Sequence, residues 1–246
     1  MTRVVALVLA AVSACSVELH DRDAAFARDD GERVLCGVGV DGDDITTEQL
    51  ELAMSRANER SEVLIVFAHQ PSKTIAFRRL DALFAGAERI GLPAVTFPEL
   101  ATERRAGPGI ALGFDDAFVE DWMAMRDILR GRPVTFFVSN WNDLTRSQID
   151  DLHALAADGH AIEAHGMGHR DAASYVDRHG LDRYLADEID PLIDAMRAEG
   201  FAPTTFAYPY GARTSELDDA LLERFELVRS LTYLDASSLA RAPCPY

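Results

Sequence analysis

From residue 33 onward the chain repeats one pattern, a short and nearly continuous apolar run followed by a longer stretch with helical periodicity. The runs are RVLCGVGV (33–40), EVLIVFA (62–68), AVTF (94–97), GIALGF (109–114), PVTFFV (133–138), HAIEA (160–164), TTFAY (204–208) and ELVRSL (226–231). A strand with one wet face alternates apolar and polar residues. Most of these do not, which is the pattern of parallel strands covered on both faces. Helices are predicted between them near 46–59, 74–90, 117–130, 145–158, 181–199 and 214–224. Thr46-x-x-Gln49 and Thr145-x-x-Gln148 open two of these as capping boxes. Gly91, Gly131, Gly159 and Gly200 stand just past helix ends. Seven or eight β/α repeats in roughly 210 residues predict an α/β domain, either a closed or nearly closed barrel or a doubly wound sheet. Both architectures place functional residues at the C-terminal ends of strands.

The chain has 246 residues, 48% of them hydrophobic, which fits one large domain. Its formal net charge of −17 repels phosphate backbones and argues against nucleic acid as a partner. Neutral or cationic polymers, such as sugars with free amines, are tolerated by the same charge. The first residues read differently. Arg3 precedes the apolar run Val4 to Val12, which is too short to span a bilayer and has the length of a signal-peptide core. The sequence Val12-Ser13-Ala14-Cys15 resembles a bacterial lipobox, in which Cys15 becomes the lipidated first residue of the mature protein. The expected organisation is a signal peptide (1–14), an acidic tether (15–32) and a catalytic domain (33–246), exported and lipid-anchored to the cell envelope. Two cysteines remain, Cys36 and Cys244. In an exported protein they either pair or stay as free thiols.

The ends of the apolar runs carry the chemistry. GIALGF ends in Asp115-Asp116, HAIEA in His165-Gly-Met-Gly-His169, EVLIVFA in His69, and TTFAY leads into Pro209-Tyr210-Gly211. Each has a bland reading. Two Asp before a helix act as an N-cap and a first-turn carboxylate, two nearby His occur in surface loops, and YPYG is a turn. Their coincidence at strand ends is what no bland reading predicts. Two imidazoles and one carboxylate form a three-ligand site that leaves a coordination position open for water. A divalent metal there lowers the pKa of that water and polarises a carbonyl. Zinc is the default for this donor set, with cobalt or nickel also able to serve. A neighbouring carboxylate can take the proton of the water as general base, and a His across the site can protonate the leaving group.

In these residues the chain resembles the polysaccharide deacetylase (NodB-homology) family, carbohydrate esterase family 4. Its first motif, T-F-D-D-G, is similar to Gly113-Phe114-Asp115-Asp116-Ala117, which implies Asp115 as catalytic base and Asp116 as metal ligand. The second, H-S/T-x-x-H, is similar to His165-Gly166-Met167-Gly168-His169 in spacing, though not in the residue after the first His. It implies two metal-binding histidines. The third, R-x-P-Y, resembles Ala207-Tyr208-Pro209-Tyr210 and implies that the Tyr210 backbone N–H helps to hold the oxyanion. The fourth and fifth motifs normally follow the third, but here they stand at the front. Asp41-Gly42-Asp43-Asp44-Ile45 resembles D-x-x-D-W, and VLIVFAHQ resembles the strand bearing the catalytic acid, His69. The resemblance therefore implies a circular permutation. The implied fold is a distorted (β/α)7-8 barrel of the NodB-homology type with permuted motif order, whose joined ends favour a Cys36–Cys244 pair.

Two positions depart from the family. Ala207 stands where an Arg orients the catalytic Asp, and Ile45 replaces the Trp. Arg213 or another nearby Arg is then the candidate substitute. Trp141 and Tyr208 are the expected sugar-stacking residues, while Trp122 is expected in the core. The resemblance implies a metal-dependent hydrolase removing acetyl groups from N-acetylated sugars of a cell-wall or exported glycan. The alternatives are an O-acetyl esterase or other C–N hydrolase on the same fold, and a catalytically impaired glycan-binding lipoprotein.

Overall fold

The computed structural model describes residues 18–102, 107–234 and Cys244. Nine strands are present: β1 (Phe26–Ala27), β2 (Val34–Gly39), β3 (Val63–Ala68), β4 (Ala94–Val95), β5 (Gly109–Asp116), β6 (Thr135–Val138), β7 (Ala161–Ala164), β8 (Thr205–Ala207) and β9 (Leu227–Leu231). Seven of them, β2, β3, β5, β6, β7, β8 and β9, are paired in parallel around a closed ring, because β3 bonds to both β2 and β5. Of the two architectures the β/α repeats allowed, the closed barrel is the one formed, as the family resemblance implied. The two-residue strands lie outside the ring. β1 runs antiparallel to the start of β3 and β4 parallel to the start of β5.

Each strand is apolar on both faces because each face has its own core. Residues of one parity, including Leu64, Val66, Ile110, Leu112, Phe114, Phe136, Phe206 and Val228, pack outward under the helices. The other parity fills the barrel with Leu35, Val63, Ile65, Ala111, Phe137, Ala207 and Leu227. Glycines make room inside. A Cβ on Gly37 would stand 3.0 Å from Phe67, and one on Gly113 would stand 3.1 Å from Phe137. β7 and β8 share a single register pair, Ala164 with Phe206. Glu163 reinforces this short seam from within the barrel, its Oε2 accepting from the N–H of Thr204 (2.8 Å) and Thr205 (2.6 Å). Burial pushes the Glu163 carboxyl up to about 7, against those hydrogen bonds.

Both capping boxes form, with the Thr46 and Thr145 hydroxyls each accepting from the N3 backbone. The first helix spans Thr47–Arg60 and the second Phe77–Arg89. The second was expected to start at 74, but residues 70–75 form a turn whose Thr74 hydroxyl is committed to Asp41. The helix expected over 117–130 is shorter, Val119–Ala124, and passes into successive turns up to Gly131. The segment 181–199 is not one regular helix. Leu181–Tyr184 and Asp190–Ala198 flank a π-helical stretch, Leu185–Ile189. Pro191 explains the break, since it has no N–H for the carbonyl four residues back and its ring crowds that carbonyl. A helix over Ala172–His179 escaped the sequence reading, although its cap is local, the Asp171 side chain accepting from Ser174 N at 2.8 Å.

The expected acidic tether requires a correction. Cys15, like the signal segment, lies outside the described residues, but 18–27 is part of the domain. Leu19 and Ala25 are fully buried and Phe26 nearly so. Polar residues of the segment fasten it. Arg22 donates to Thr232 Oγ1 (2.8 Å), Glu18 accepts from Gln49 (2.9 Å), and Asp23 accepts from Arg56 (2.7 Å), whose guanidinium covers the Phe26 ring. The acidic composition of this segment conceals three apolar residues at spacings that suit short 3-10 turns, and these decide where it lies. Cys36 and Cys244 form a disulfide, which ties the C-terminal region to β2.

Candidate active site

All the chemistry predicted from strand ends gathers on one rim of the barrel. Asp115 and Asp116 close β5, His165 follows β7, His69 follows β3 and Asp41 follows β2. His165 Nδ1 lies 2.8 Å from the Ala207 carbonyl oxygen. A carbonyl only accepts, so Nδ1 carries the proton and Nε2 is left free to act as a ligand. Nε2 of His169 and of His165 face Asp116 Oδ1 at 3.0 and 3.7 Å. One ligand atom from each of the three residues lies within 4.8 Å of the others. Asp116 Oδ1 is buried with no hydrogen-bond partner among the described residues. Burial opposes the Asp116 charge, but the two imidazoles outweigh it and hold this carboxyl well below the ordinary carboxylate range. Two imidazole Nε2 atoms converging on one carboxylate oxygen are a donor set that fits a divalent cation.

The backbone is bent to achieve this convergence. Asp116 (φ 81°), His169 (φ 52°) and Tyr210 (φ 59°) all occupy the left-handed region without being glycine. Such conformations cost roughly 1–3 kcal/mol each and persist where the surroundings enforce them. The Tyr210 ring meets His169 edge-on, with centroids 4.8 Å apart, and is exposed at the rim.

Asp115 is nearly fully buried, and the residue that orients it is one the sequence reading did not name. Arg229, in the middle of β9, donates from Nη2 to Asp115 Oδ2 at 2.7 Å. Its guanidinium sits between the rings of Phe67 (4.6 Å) and Phe137 (5.2 Å) inside the barrel. In the β8–β9 register, Arg229 is directly opposite Ala207. The orienting Arg that the family places at 207 is therefore supplied from the adjacent strand, and a small residue at 207 suits the crowded interior. Arg213, the other candidate, is turned away and chelates Asp218, with its Nε at 3.0 and 2.9 Å from the two carboxylate oxygens. With Arg229 occupying Oδ2, Asp115 Oδ1 is left without a partner among the described residues.

His69 is half-buried across the site. Its Nδ1 is 2.5 Å from Asp41 Oδ2, while Asp41 Oδ1 accepts from the Thr74 hydroxyl at 2.5 Å. Burial works against protonation of His69. The Asp41 hydrogen bond and the charges of Asp115, Asp41 and Asp116 outweigh it, so its pKa is raised. Ile45, in place of the Trp, is buried, and its carbonyl accepts from Arg79, which holds the 40–45 loop together with Val40 O (3.2 Å).

Two expected sugar-stacking residues are not on the rim. Tyr208 faces outward from β8, 2% exposed, and its hydroxyl donates to Asp218 at 2.9 Å. Strand parity decides this, since Ala207 points inward and its neighbour must point away. Trp141 packs edge-on against Phe201 and is 6% exposed, so it belongs to the outer core. Trp122 is core, as expected, its indole N–H donating to the His69 carbonyl at 3.3 Å.

A polysaccharide deacetylase family profile matches residues 102–224, half of the chain. The chain belongs to the polysaccharide deacetylase family. Members of this family are hydrolases that deacetylate sugars, and the three matched motifs of this chain, around Asp115, His165 and Tyr210, all fall within the matched span. A comparison with curated protein sequences returns no match. Among solved structures, the fold is similar to that of IcaB from Ammonifex degensii, at 19% identity over 70% of this chain and 85% of that one, with a TM-score of 0.58. The deacetylase PplD of Streptococcus pyogenes, solved in complex with acetate, matches at 13% identity over 74% and 97% of the two chains, TM-score 0.56. The polysaccharide deacetylase BC0361 from Bacillus cereus matches at 15% identity, TM-score 0.56, over 69% of this chain but only 58% of its own length.

Proposed function

We propose that this family member is a metal-dependent hydrolase that removes acetyl groups from N-acetylated sugars of a cell-wall or exported polysaccharide. The observation that carries this is the Asp116–His165–His169 cluster standing beside Asp115, with His69 across the rim. Asp116, His165 and His169 would hold a divalent ion, which when bound would supply Lewis acidity toward water and the acetyl carbonyl. Asp115, oriented through Oδ2 by Arg229, takes a proton from the attacking water at Oδ1. The water oxygen bonds to the acetyl carbon. As the C–N bond breaks, His69 gives its proton to the departing amine nitrogen, and acetate leaves. The Tyr210 backbone N–H, on its left-handed turn after β8, is the oxyanion donor. Acetate bound to PplD, whose fold this chain shares, is the product such a reaction releases.

The positions of Asp41 and His69, brought from the front half of the chain to the same rim, support reading the motif order as circularly permuted. A disulfide between Cys36 and Cys244 suits an oxidising compartment and supports reading 1–15 as an export and lipid-anchoring segment. The impaired-binding alternative rested on the loss of the Arg at 207 together with the Trp at 45; Arg229, bonded to Asp115 at 2.7 Å, supports the active reading.

The test is acetate release from a panel of N-acetylated and O-acetylated glycans, before and after chelation and on re-addition of zinc, cobalt or nickel. Release from the N-acetylated members should stop with chelator and return with metal. Turnover indifferent to chelation sinks the metal reading, and release confined to O-acetyl esters moves the assignment to an esterase. A second expected outcome concerns pH. His69 must be protonated to act as acid, so activity is lost as pH rises through its raised pKa. Asp41→Asn removes the largest contribution raising that pKa and leaves only the charges of Asp115 and Asp116 to oppose burial. The alkaline limb of the pH–activity profile should therefore move to lower pH, and an unmoved limb would disconnect Asp41 from the acid.

A further inference from the structure

The second motif of this chain has Gly-Met-Gly between its histidines, with no side-chain hydroxyl or carboxylate to hold the loop in shape. The support comes from elsewhere in the chain. We propose that Glu188, in the π-helical stretch Leu185–Ile189, is a positioning residue that clamps the 165–169 loop in its ligand-presenting shape. The inference rests on the metal site proposed above.

Glu188 grips two consecutive loop amides with two different groups. Its main-chain carbonyl accepts from Met167 N at 3.0 Å and its carboxylate Oε2 accepts from Gly168 N at 2.8 Å. The residue is 4% exposed, so both bonds are shielded from water. Arg170, the first residue after the loop, brings its Nε to 3.6 Å from the other carboxylate oxygen, Oε1. The carboxylate therefore holds the loop by its middle and faces a positive charge at its exit. His169 between these two points has φ 52°. An uncapped loop would relax that conformation, whereas one held on both sides keeps the imidazole turned toward Asp116.

The glycines fit the same reading. A Cβ on Gly168 would lie 2.9 Å from Glu188 Oε1, and one on Gly166, whose φ is +83°, would lie 3.3 Å from Oε2. Gly168 has no positive φ, so a side chain there is opposed by Glu188 rather than by the backbone. The wide π turn is what brings one residue's carbonyl and carboxylate to the loop together. It stands just before Pro191, and π segments of this kind recur at functional sites.

The test compares Glu188→Ala, Glu188→Gln and Gly168→Ala, alone and with Glu188→Ala, by zinc titration against a competing chelator and by amide hydrogen exchange of the metal-free protein. E188A should bind zinc about ten- to hundredfold more weakly, the usual effect of losing a group that supports a ligand. Exchange at 166–169 should accelerate while the barrel strands stay protected. E188Q, which keeps an acceptor for Gly168 N, should stay close to wild type. G168A should weaken zinc binding in the wild-type background and add nothing to E188A, since the atom it meets is gone. E188A binding zinc like wild type, with unchanged loop exchange, overturns the clamp and leaves the metal site standing. So does faster exchange spread evenly over the strands, which would make Glu188 a general stability residue. A wild type that takes up no zinc sinks the metal reading itself, and loop exchange in E188A still decides whether Glu188 holds the loop.

Discussion

Arg229→Met is expected to reduce acetate release by on the order of a hundredfold or more, toward the range a general base contributes, and to destabilise the fold by about 3–5 kcal/mol. The guanidinium is 2% exposed and pairs with Asp115 at 2.7 Å, a carboxylate that is itself buried at the end of β5. Met fills much of the same volume between Phe67 and Phe137, so an empty cavity is not the main effect. What remains is a buried carboxylate with its cation removed. It either stays charged at a cost to stability or takes a proton and ceases to be a base. Urea unfolding and acetate release measured on the same preparations separate the two effects. Because Ala207 is opposite Arg229 in the β8–β9 register, the pair Ala207→Arg with Arg229→Ala should recover part of the lost activity. A fully active Arg229→Met would remove Arg229 from the account of how Asp115 is held.

Asp115→Asn is expected to lower turnover by about 10²–10⁴-fold while leaving metal content unchanged. The two carboxylates of the Asp115-Asp116 pair have separate tasks in the structure. Asp116 faces the two imidazole Nε2 atoms, whereas Asp115 faces Arg229 and contributes no atom to the three-residue cluster. Asn keeps the shape and an acceptor for Arg229 but cannot take a proton from water. Asp116→Asn and His165→Ala should lose metal and activity together. The assay pairs acetate release with metal analysis of each purified variant. Loss of metal in Asp115→Asn, or retained turnover, would reverse the roles assigned to the two residues.

Much of the fold was legible because its signals are local or periodic. Strands buried on both faces must be apolar at nearly every position, so their limits differ from those seen by only a few residues. Capping boxes at Thr46 and Thr145 are made within four residues and depend on nothing distant. Signals that were present but unread are instructive. Arg229 lies inside ELVRSL, an otherwise buried run, and a charge in such a place requires a partner. Pro191 inside a predicted helix marks the break that carries Glu188. The apolar residues Leu19, Ala25 and Phe26 were outweighed by the acidic residues around them, although burial is decided by the former.

Sequence by itself determined an α/β repeat of strands buried on both faces and placed Asp115, Asp116, His165, His169 and His69 at strand ends, because burial periodicity and donor types are local. The choice of a barrel over an open sheet came from the family resemblance and from closure of the ring. Sequence did not determine which way an aromatic faces or which distant residue meets a buried charge. Tyr208 and Trp141 have the same composition whether they line a cleft or fill a core, and only strand parity and closure of the ring assign them to the core. Arg229 meets Asp115 across 114 residues of sequence, and Glu188 meets Gly168 across 20. Such pairings are set by how strands register around the closed barrel and by how a widened helix turn leans on a loop. They are properties of three-dimensional packing, and no local pattern in the chain encodes them.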